Sequence, residues 1–414
     1  MQRVLPIVAL ATTYFVFAIL LNSVGVVILQ SIETFDVSKS QASVLEGYKD
    51  LSIAIVSFFV ASILPRVGYK LALLGGLLLV ALATALTASI QSFVMIKLLF
   101  AAIGVGFALV KVAVYSLIGE LTSDQKQHSA LMNTIEGVFM LGTLFGYWLF
   151  SLFVSDDPTN GYDWLNVYWL LSLLIAIIFG VVIVAKVSEG SVKQKSGSNA
   201  EAFLAMLKLA YQPLVLIFVI SIFLYVLVEQ GIGTWLPTFN REILGLSLEL
   251  SVQMTSLFAA GLAFGRLAAG QVLKTVHWFH LVVGCLLAMA VLILIVMPLA
   301  SGSEQTSVAT WSDAPLAAFI LPMIGFFMAP IYPAINSVML SSLEKQQHAP
   351  MTGLIVVFSA LGGTTGSIIT GNVFQYFGGQ QAFYTTLIPI IALLGCLYLF
   401  NQRTLALSKE QAHG

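Results

Sequence analysis

Apolar runs, each about long enough to cross a bilayer, alternate with short polar breaks along nearly the whole chain. About 20 consecutive apolar residues span the hydrocarbon core as a helix. Twelve such stretches occur, at roughly 5–29, 41–64, 69–90, 93–118, 130–153, 165–187, 209–238, 247–273, 278–300, 314–342, 349–375 and 381–401. The pattern predicts an all-α integral membrane protein with twelve transmembrane helices and almost nothing left for a soluble domain. The first run begins at once and has no small-residue cleavage site followed by a mature domain, so a retained helix is expected there.

Composition agrees: of 414 residues, 59% are hydrophobic and only 9% are charged, whereas soluble domains carry about 25% charged residues. Cys285 and Cys396 both fall inside spans, where packing roles are expected rather than a disulfide or a metal pair. The net charge of −1 comes with no basic patch or stacking motif, so no nucleic-acid partner is expected; the expected partners are a small-molecule substrate and the lipid bilayer. Lys and Arg collect in alternate loops: Arg3, Arg66, Lys70, Lys126, Lys186, Lys193, Lys195, Lys208, Lys274, Lys345, Arg403 and Lys409 share one side. Asp156, Asp157, Asp163, Glu304 and Asp313 fall on the other. Positive charge marks the cytoplasmic face, which places both termini there.

The chain repeats itself. Asp124-Gln125-Lys126-Gln127-His128 matches Glu344-Lys345-Gln346-Gln347-His348 at an offset of 220, and Met132, Phe139, Gly142 and Gly146 meet Met351, Phe358, Gly362 and Gly366 within one residue of that register. The Ser-, Gly- and Lys-rich stretch from Ser188 to Ala202 reads as a flexible linker. The expected division is an N-terminal six-helix bundle (1–187), a cytoplasmic linker (188–208), a C-terminal six-helix bundle (209–402) and a cytoplasmic tail (403–414). Parallel six-helix repeats with a site between them near the midplane are a transporter design.

On these features the sequence resembles the major facilitator superfamily over essentially its whole length. Pro65-Arg66-Val67-Gly68-Tyr69-Lys70 lies between spans two and three, where the family carries a Gly- and base-rich motif, although Pro65 replaces the usual aspartate. Asn133–Gly146, Val228–Pro237, Gly265-Arg266 with Gly270, and Ala329–Asn336 are similar to the fucose–galactose–gluconate:proton symporter group. The resemblance implies the major facilitator fold in two pseudo-symmetric bundles, a functional monomer and residence in a bacterial inner membrane. One departure is clear: fucose permease-like members use an aspartate in span one and a glutamate early in span four, whereas here span one has no acid and span four offers Lys111.

Ionisable residues at membrane depth are costly and mark function by default. Glu136, inside the apolar run Met132–Phe153, and Lys111 lie at similar depths on neighbouring spans, counted at ~1.5 Å per residue, so they are expected to pair either as a structural lock or as a switch. On the repeat register, Ile331 and Ile355 take their places in the second half. Glu46 and Asp50 project from one face of span two. Two carboxylates in a low-dielectric site raise each other's proton affinity, which suits a proton site unless Lys49 neutralises them. Glu229 in span seven completes the proton-coupling candidates; Lys97 is expected to snorkel and Arg266 to be structural.

Span seven reads Glu229-Gln230-Gly231-Ile232-Gly233-Thr234-Trp235, where two glycines weaken the helix and loosened backbone suits a cavity lining. Gln230 offers amide groups to a hydroxylated substrate. Trp235 offers either a flat face for a sugar or an interfacial anchor. Tyr14 and Asn22 in span one, Asn133 in span five, Tyr225 in span seven and Tyr332 and Asn336 in span ten are the remaining substrate-binding candidates, each equally readable as a helix–helix contact. Pro330 and Pro333 bend span ten. His128 and His348 read as loop or capping residues.

No catalytic triad, Walker motif or phosphate loop accompanies the helices. The expectation is a secondary active transporter and not an enzyme: a proton-coupled symporter taking up a small polar solute, most simply a monosaccharide or amino sugar, by alternating access. A proton-driven antiporter exporting drugs or metabolites fits the same fold. A membrane receptor or intramembrane enzyme is the alternative of another class. No cofactor is expected beyond the proton as coupling ion, and sodium also suits carboxylate and amide oxygens.

Overall fold

A computed structural model of the chain describes residues 4–122, 124–157, 161–185, 199–300, 308–344 and 347–413. The linker expected from 188 falls outside them as far as 198, as do Arg3, Lys186, Lys193, Lys195, Glu304, Lys345 and Gln346; the side chains of Pro65, Arg66 and Lys409 are likewise not described.

The first half runs α1 (Val4–Asn22), α2 (Val24–Phe35), the single turn α3 (Lys39–Ala42), α4 (Val44–Val67), α5 (Tyr69–Ile90), α6 (Phe93–Leu121), α7 (Gln125–Ser151) and α8 (Val167–Val184). The second half runs α9 (Asn199–Ala210), α10 (Pro213–Gly233), α11 (Leu236–Glu242), α12 (Leu248–Val272), α13 (Trp278–Ala300), α14 (Leu316–Ile320), α15 (Ile324–Met328), α16 (Ile331–Ser341), α17 (His348–Phe377), α18 (Gly379–Thr385) and α19 (Leu387–His413). By length and composition, 10 helical segments are apolar enough to cross a membrane. The other two expected spans are α4 and α7, of 24 and 27 residues, which are long enough but carry the embedded charges. Twelve spans thus make up an all-α integral membrane protein. On α5, Leu78, Leu82 and Leu86 are spaced one turn apart and all exposed, as an apolar outer surface requires in lipid.

The helices gather into two compact units, one of residues 1–38 and 45–196 and the other of residues 39–44 and 197–414. In the first, α1 packs on α7 and α5 packs on α6 and α8; in the second, α10 packs on α17 and α19, and α12 on α15. The short segment 39–44 belongs to the second unit. There Lys39 pairs with Glu242 at 2.9 Å, and the Ser40 hydroxyl donates to Asn372 Oδ1 at 2.9 Å. The tail expected at 403–414 continues α19 as helix to His413.

Apolar helices in lipid associate through close packing, which favours small residues at the contacts. A Cβ on Gly142 of α7 would lie 2.5 Å from the Phe15 carbonyl oxygen of α1, and one on Gly362 of α17 would lie 2.4 Å from that of Phe223 in α10. A Cβ on Gly104 of α6 would lie 2.4 Å from the Lys49 carbonyl oxygen, and one on Gly325 of α15 would lie 2.5 Å from that of Phe258. These matched contacts show that both units use one internal design. They also correct the repeat register by one residue: Tyr332 rather than Ile331 stands opposite Lys111, and Val356 rather than Ile355 opposite Glu136. Sequence matching misses this because three offsets coexist: Met132 and Phe139 meet Met351 and Phe358 at 219, Gly142 meets Gly362 at 220 together with the preceding loops, and Gly104 meets Gly325 at 221.

The Gly- and base-rich segment is a structural turn. Gly68, at φ 99°, lets the chain reverse between α4 and α5. Lys70 then donates to the carbonyls of Ile183 and Ala185 at 2.8 and 2.9 Å, capping the last turn of α8, where a cation is favoured.

Candidate functional site

Three helices of the first unit build a polar patch walled by aromatic rings. Lys111 and Tyr115 are one turn apart on α6, Tyr14 comes from α1, and Glu136 comes from α7. The Tyr115 hydroxyl donates to Glu136 Oε1 at 2.7 Å. The Tyr14 ring packs among Phe107, Tyr115 and Phe139, with centroids 5.6–6.2 Å apart, while its hydroxyl is buried without a hydrogen-bond partner. The Tyr115 hydroxyl lies close enough to interact with it.

The expected Lys111–Glu136 ion pair is not formed. Among the described residues no carboxylate lies within ion-pairing distance of Lys111, whose ammonium instead lies 5.8 and 5.9 Å from the ring centroids of Phe107 and Tyr115. Tyr115, one turn further along the same face of α6, takes the Glu136 carboxylate. Lys111 is nonetheless exposed and within electrostatic reach of Glu136. Asn133, one turn before Glu136 on α7, is exposed.

A separate charged cluster sits on α4. Glu46 is fully buried and Lys49 nearly so; the Lys49 ammonium contacts the Glu46 carboxylate directly and reaches Asp50 Oδ1 at 3.6 Å. It also donates to the Leu21 carbonyl at 3.4 Å, beside the break between α1 and α2, and Tyr147 of α7 lies alongside. The two acids do share a face, but the repulsion expected between them is offset by the cation between them. On the packing register their counterparts in the second unit are Thr255, Phe258 and Ala259, so the shared fold does not require this triad.

The second unit carries its own polar group. The Tyr225 hydroxyl lies 3.1 Å from Glu229 Oε1 and 3.2 Å from the Met328 carbonyl, and its ring is 5.7 Å from that of Tyr332. Tyr332 shares a hydrogen bond with Ser359 at 3.2 Å. Asn336 Oδ1 is buried without a partner. Arg266, expected to be purely structural, is close enough to act electrostatically on the Tyr225 hydroxyl. Tyr332, Asn336 and Ser359 occupy the register positions of Lys111, Tyr115 and Phe139. The two units therefore present polar groups at equivalent places with different chemistry.

The break in span seven falls where the glycines are. α10 ends at Gly233 and α11 begins at Leu236. Gln230 accepts from the Thr234 hydroxyl at 3.2 Å, which leaves its amide donors uncommitted. Trp235 differs from both readings. Its ring is fully buried, its indole N–H donates to the Ser367 carbonyl at 3.0 Å, and Gly371 makes room for it. It has no face open to a sugar and none at an interface. Asn22, the register counterpart of Gln230, donates to the Ala18 carbonyl at 2.8 Å and to the Thr143 hydroxyl at 3.0 Å, in a crevice too narrow for water; it ties α1 to α7.

Sequence reasoning missed Tyr115, Phe107, Phe139, Tyr147 and Ser359. Tyr115 was within reach of it, four residues after Lys111 and so on the same helix face.

A family model described as Major Facilitator Superfamily matches residues 10–346. The chain is 25% identical over 351 residues to a protein of Brucella abortus named glucose/galactose transporter, covering 81% of this chain and 79% of that one. Among solved structures it resembles a bacterial homologue of the human lysosomal transporter Spinster, inward-facing and occupied, with a TM-score of 0.78 at 13% identity over 97% of each chain. It also resembles the E. coli fucose:proton symporter FucP, with a TM-score of 0.62 at 17% identity over 98% of this chain and 99% of that one. The structural likenesses concern the fold. With a family model matching far more than half of its length, the chain belongs to the major facilitator superfamily of transporters.

Proposed function

We propose that this transporter is a proton-coupled symporter that takes up a small hydroxylated solute of monosaccharide size by alternating access. The observation that carries the reading is the patch of Tyr14, Lys111, Tyr115 and Glu136, with its carboxylate, its phenol hydroxyls and its wall of aromatic rings. Hydroxyls of a sugar find a carboxylate and a phenol there, and the apolar C–H face finds Phe107 and Phe139. Glu136 is held by a neutral donor at membrane depth, so taking up a proton removes its charge without breaking an ion pair. The names of the Brucella protein and of the fucose:proton symporter support the sugar and the proton.

In this reading the chain works as two six-helix bundles divided near 188–208, both termini face the cytoplasm of a bacterial inner membrane, and the working unit is a monomer. Purified protein in proteoliposomes tests it. An imposed inward proton gradient is expected to accumulate a labelled monosaccharide, and a sodium gradient to leave it level. Solute driven outward against the proton flux would establish antiport instead, and binding without transport would remove the symport reading.

A further inference from the structure

In the second unit the start of α13 meets α19 through two rings, Trp278 and Phe400, whose centroids lie 5.8 Å apart. Four basic side chains stand around that contact, all exposed: Lys274 and His277 just before α13, His280 in its first turn, and Arg403 one turn beyond Phe400 on the same face of α19. No acid occurs from Gln271 to His280 or from Phe400 to Ala406. Among the described residues neither Lys274 nor Arg403 is ion-paired; Lys274 donates to the neutral amide oxygen of Gln271 at 2.7 Å and keeps its full charge. His277 Nδ1 accepts from the Phe279 N–H at 3.3 Å, which leaves Nε2 to donate. Further along the same two helices Leu287, Val291 and Leu294 of α13 and Ile391 and Tyr398 of α19 are exposed. The basic rim therefore closes one end of an apolar, lipid-facing wall.

We propose that this rim binds the headgroup of an anionic phospholipid. Lys274 and Arg403 meet its phosphate, the imidazole N–H groups of His277 and His280 donate to its oxygens, and the acyl chains run along the apolar wall. Half-buried Trp278 seats the glycerol region, the depth at which amphipathic rings settle in a bilayer. Basic clusters at the ends of membrane helices attract anionic headgroups, which the cytoplasmic leaflet carries, and the proposed orientation puts the rim in that leaflet. Orienting the chain needs cations in loops; it does not need them gathered about one tryptophan. The site lies wholly in the second unit and is independent of the solute.

The test uses full-length protein in phosphatidylcholine vesicles, with brominated phosphatidylglycerol or brominated phosphatidylcholine as a contact quencher of tryptophan fluorescence. Subtracting the signal of Trp278→Phe isolates Trp278. Each basic side chain beside an anionic lipid is worth about five-fold in affinity, so wild type is expected to prefer phosphatidylglycerol at Trp278 by roughly 25-fold, Lys274→Gln or Arg403→Gln by about five-fold, and the double variant hardly at all. Lys208→Gln, which removes an exposed cation of α9 outside the rim, is expected to leave the preference unchanged. Near-equal quenching by the two lipids in wild type, or a preference that survives the double variant, overturns the assignment. A loss in Lys208→Gln as large as in Lys274→Gln does so too, because it would mean a diffuse effect of net charge. Displacement of phosphatidylglycerol by millimolar glycerol 3-phosphate would give the rim to a soluble phosphate and overturn the lipid.

Discussion

Tyr115 holds the Glu136 carboxylate at 2.7 Å from one turn below Lys111, so the acid and the cation share a patch without direct contact. Removing the proton-accepting function of Glu136 while keeping its shape separates coupling from binding. Glu136→Gln is expected to abolish accumulation driven by a proton gradient and to retain solute counterflow within a few-fold of wild type. The Tyr115 hydroxyl still meets an oxygen in this variant, so the local packing persists. Full gradient-driven accumulation by Glu136→Gln would remove this residue from the coupling path.

The α4 triad makes a different kind of statement, because its members are buried and mutually dependent. Removing one partner of a buried pair leaves an uncompensated charge, at a cost of about 3 kcal/mol or more. Lys49→Met strands Glu46 and Asp50 together, whereas Glu46→Gln leaves Lys49 opposite Asp50. Thermal unfolding in detergent is therefore expected to show the larger loss for Lys49→Met, with Lys49→Met/Glu46→Gln recovering part of it. Equal losses for the two single variants would mean that the lysine does not hold the acids together.

Where backbones touch, a single methyl group should matter. Gly142→Ala places a Cβ 2.5 Å from the Phe15 carbonyl oxygen, and overpacking of this kind costs about 1–3 kcal/mol. Gly284→Ala in α13 meets nothing within 4 Å and is expected to stabilise slightly, since alanine is the better helix former. Melting temperatures of the two variants should move in opposite directions.

These contacts also show what the sequence could and could not convey. Spans, the two-fold repeat and the glycine break in span seven were all legible, because hydropathy, self-similarity and Gly231/Gly233 are properties of the string itself. The partner of Glu136 is not: Lys111 and Tyr115 share one face of α6, and residue counting, good only to about a turn, does not tell which of the two meets the carboxylate. Trp235 meets neither expectation, because a tryptophan near a helix end looks the same from its neighbours whether it points to lipid, cavity or core. The repeat register is ambiguous by one residue because Met132 and Phe139 match Met351 and Phe358 at an offset of 219 while the loop and the glycines of α7 match at 220, and the paired contacts of Gly142 and Gly362, and of Gly104 and Gly325, settle it.

Span seven yields a contrast between two residues five positions apart. Trp235 gives its N–H to the Ser367 carbonyl and fills the space left by Gly371, so Trp235→Phe loses a buried hydrogen bond and opens a void. About 1–3 kcal/mol of stability should go with it, from the lost hydrogen bond and the volume left empty, while apparent solute affinity stays within about two-fold of wild type. Gln230 is half-buried, and its oxygen alone is engaged, by Thr234, so Gln230→Ala costs the fold little. If the free amide donors meet the solute, the loss should appear as affinity weakened by roughly ten-fold, the value of one or two lost hydrogen bonds, with the pH dependence of transport unmoved. Paired thermal-unfolding and binding measurements on both variants read these out together. A Trp235→Phe protein that is stable but binds poorly would return the indole to the site, and a Gln230→Ala protein with unchanged affinity would take span seven out of it.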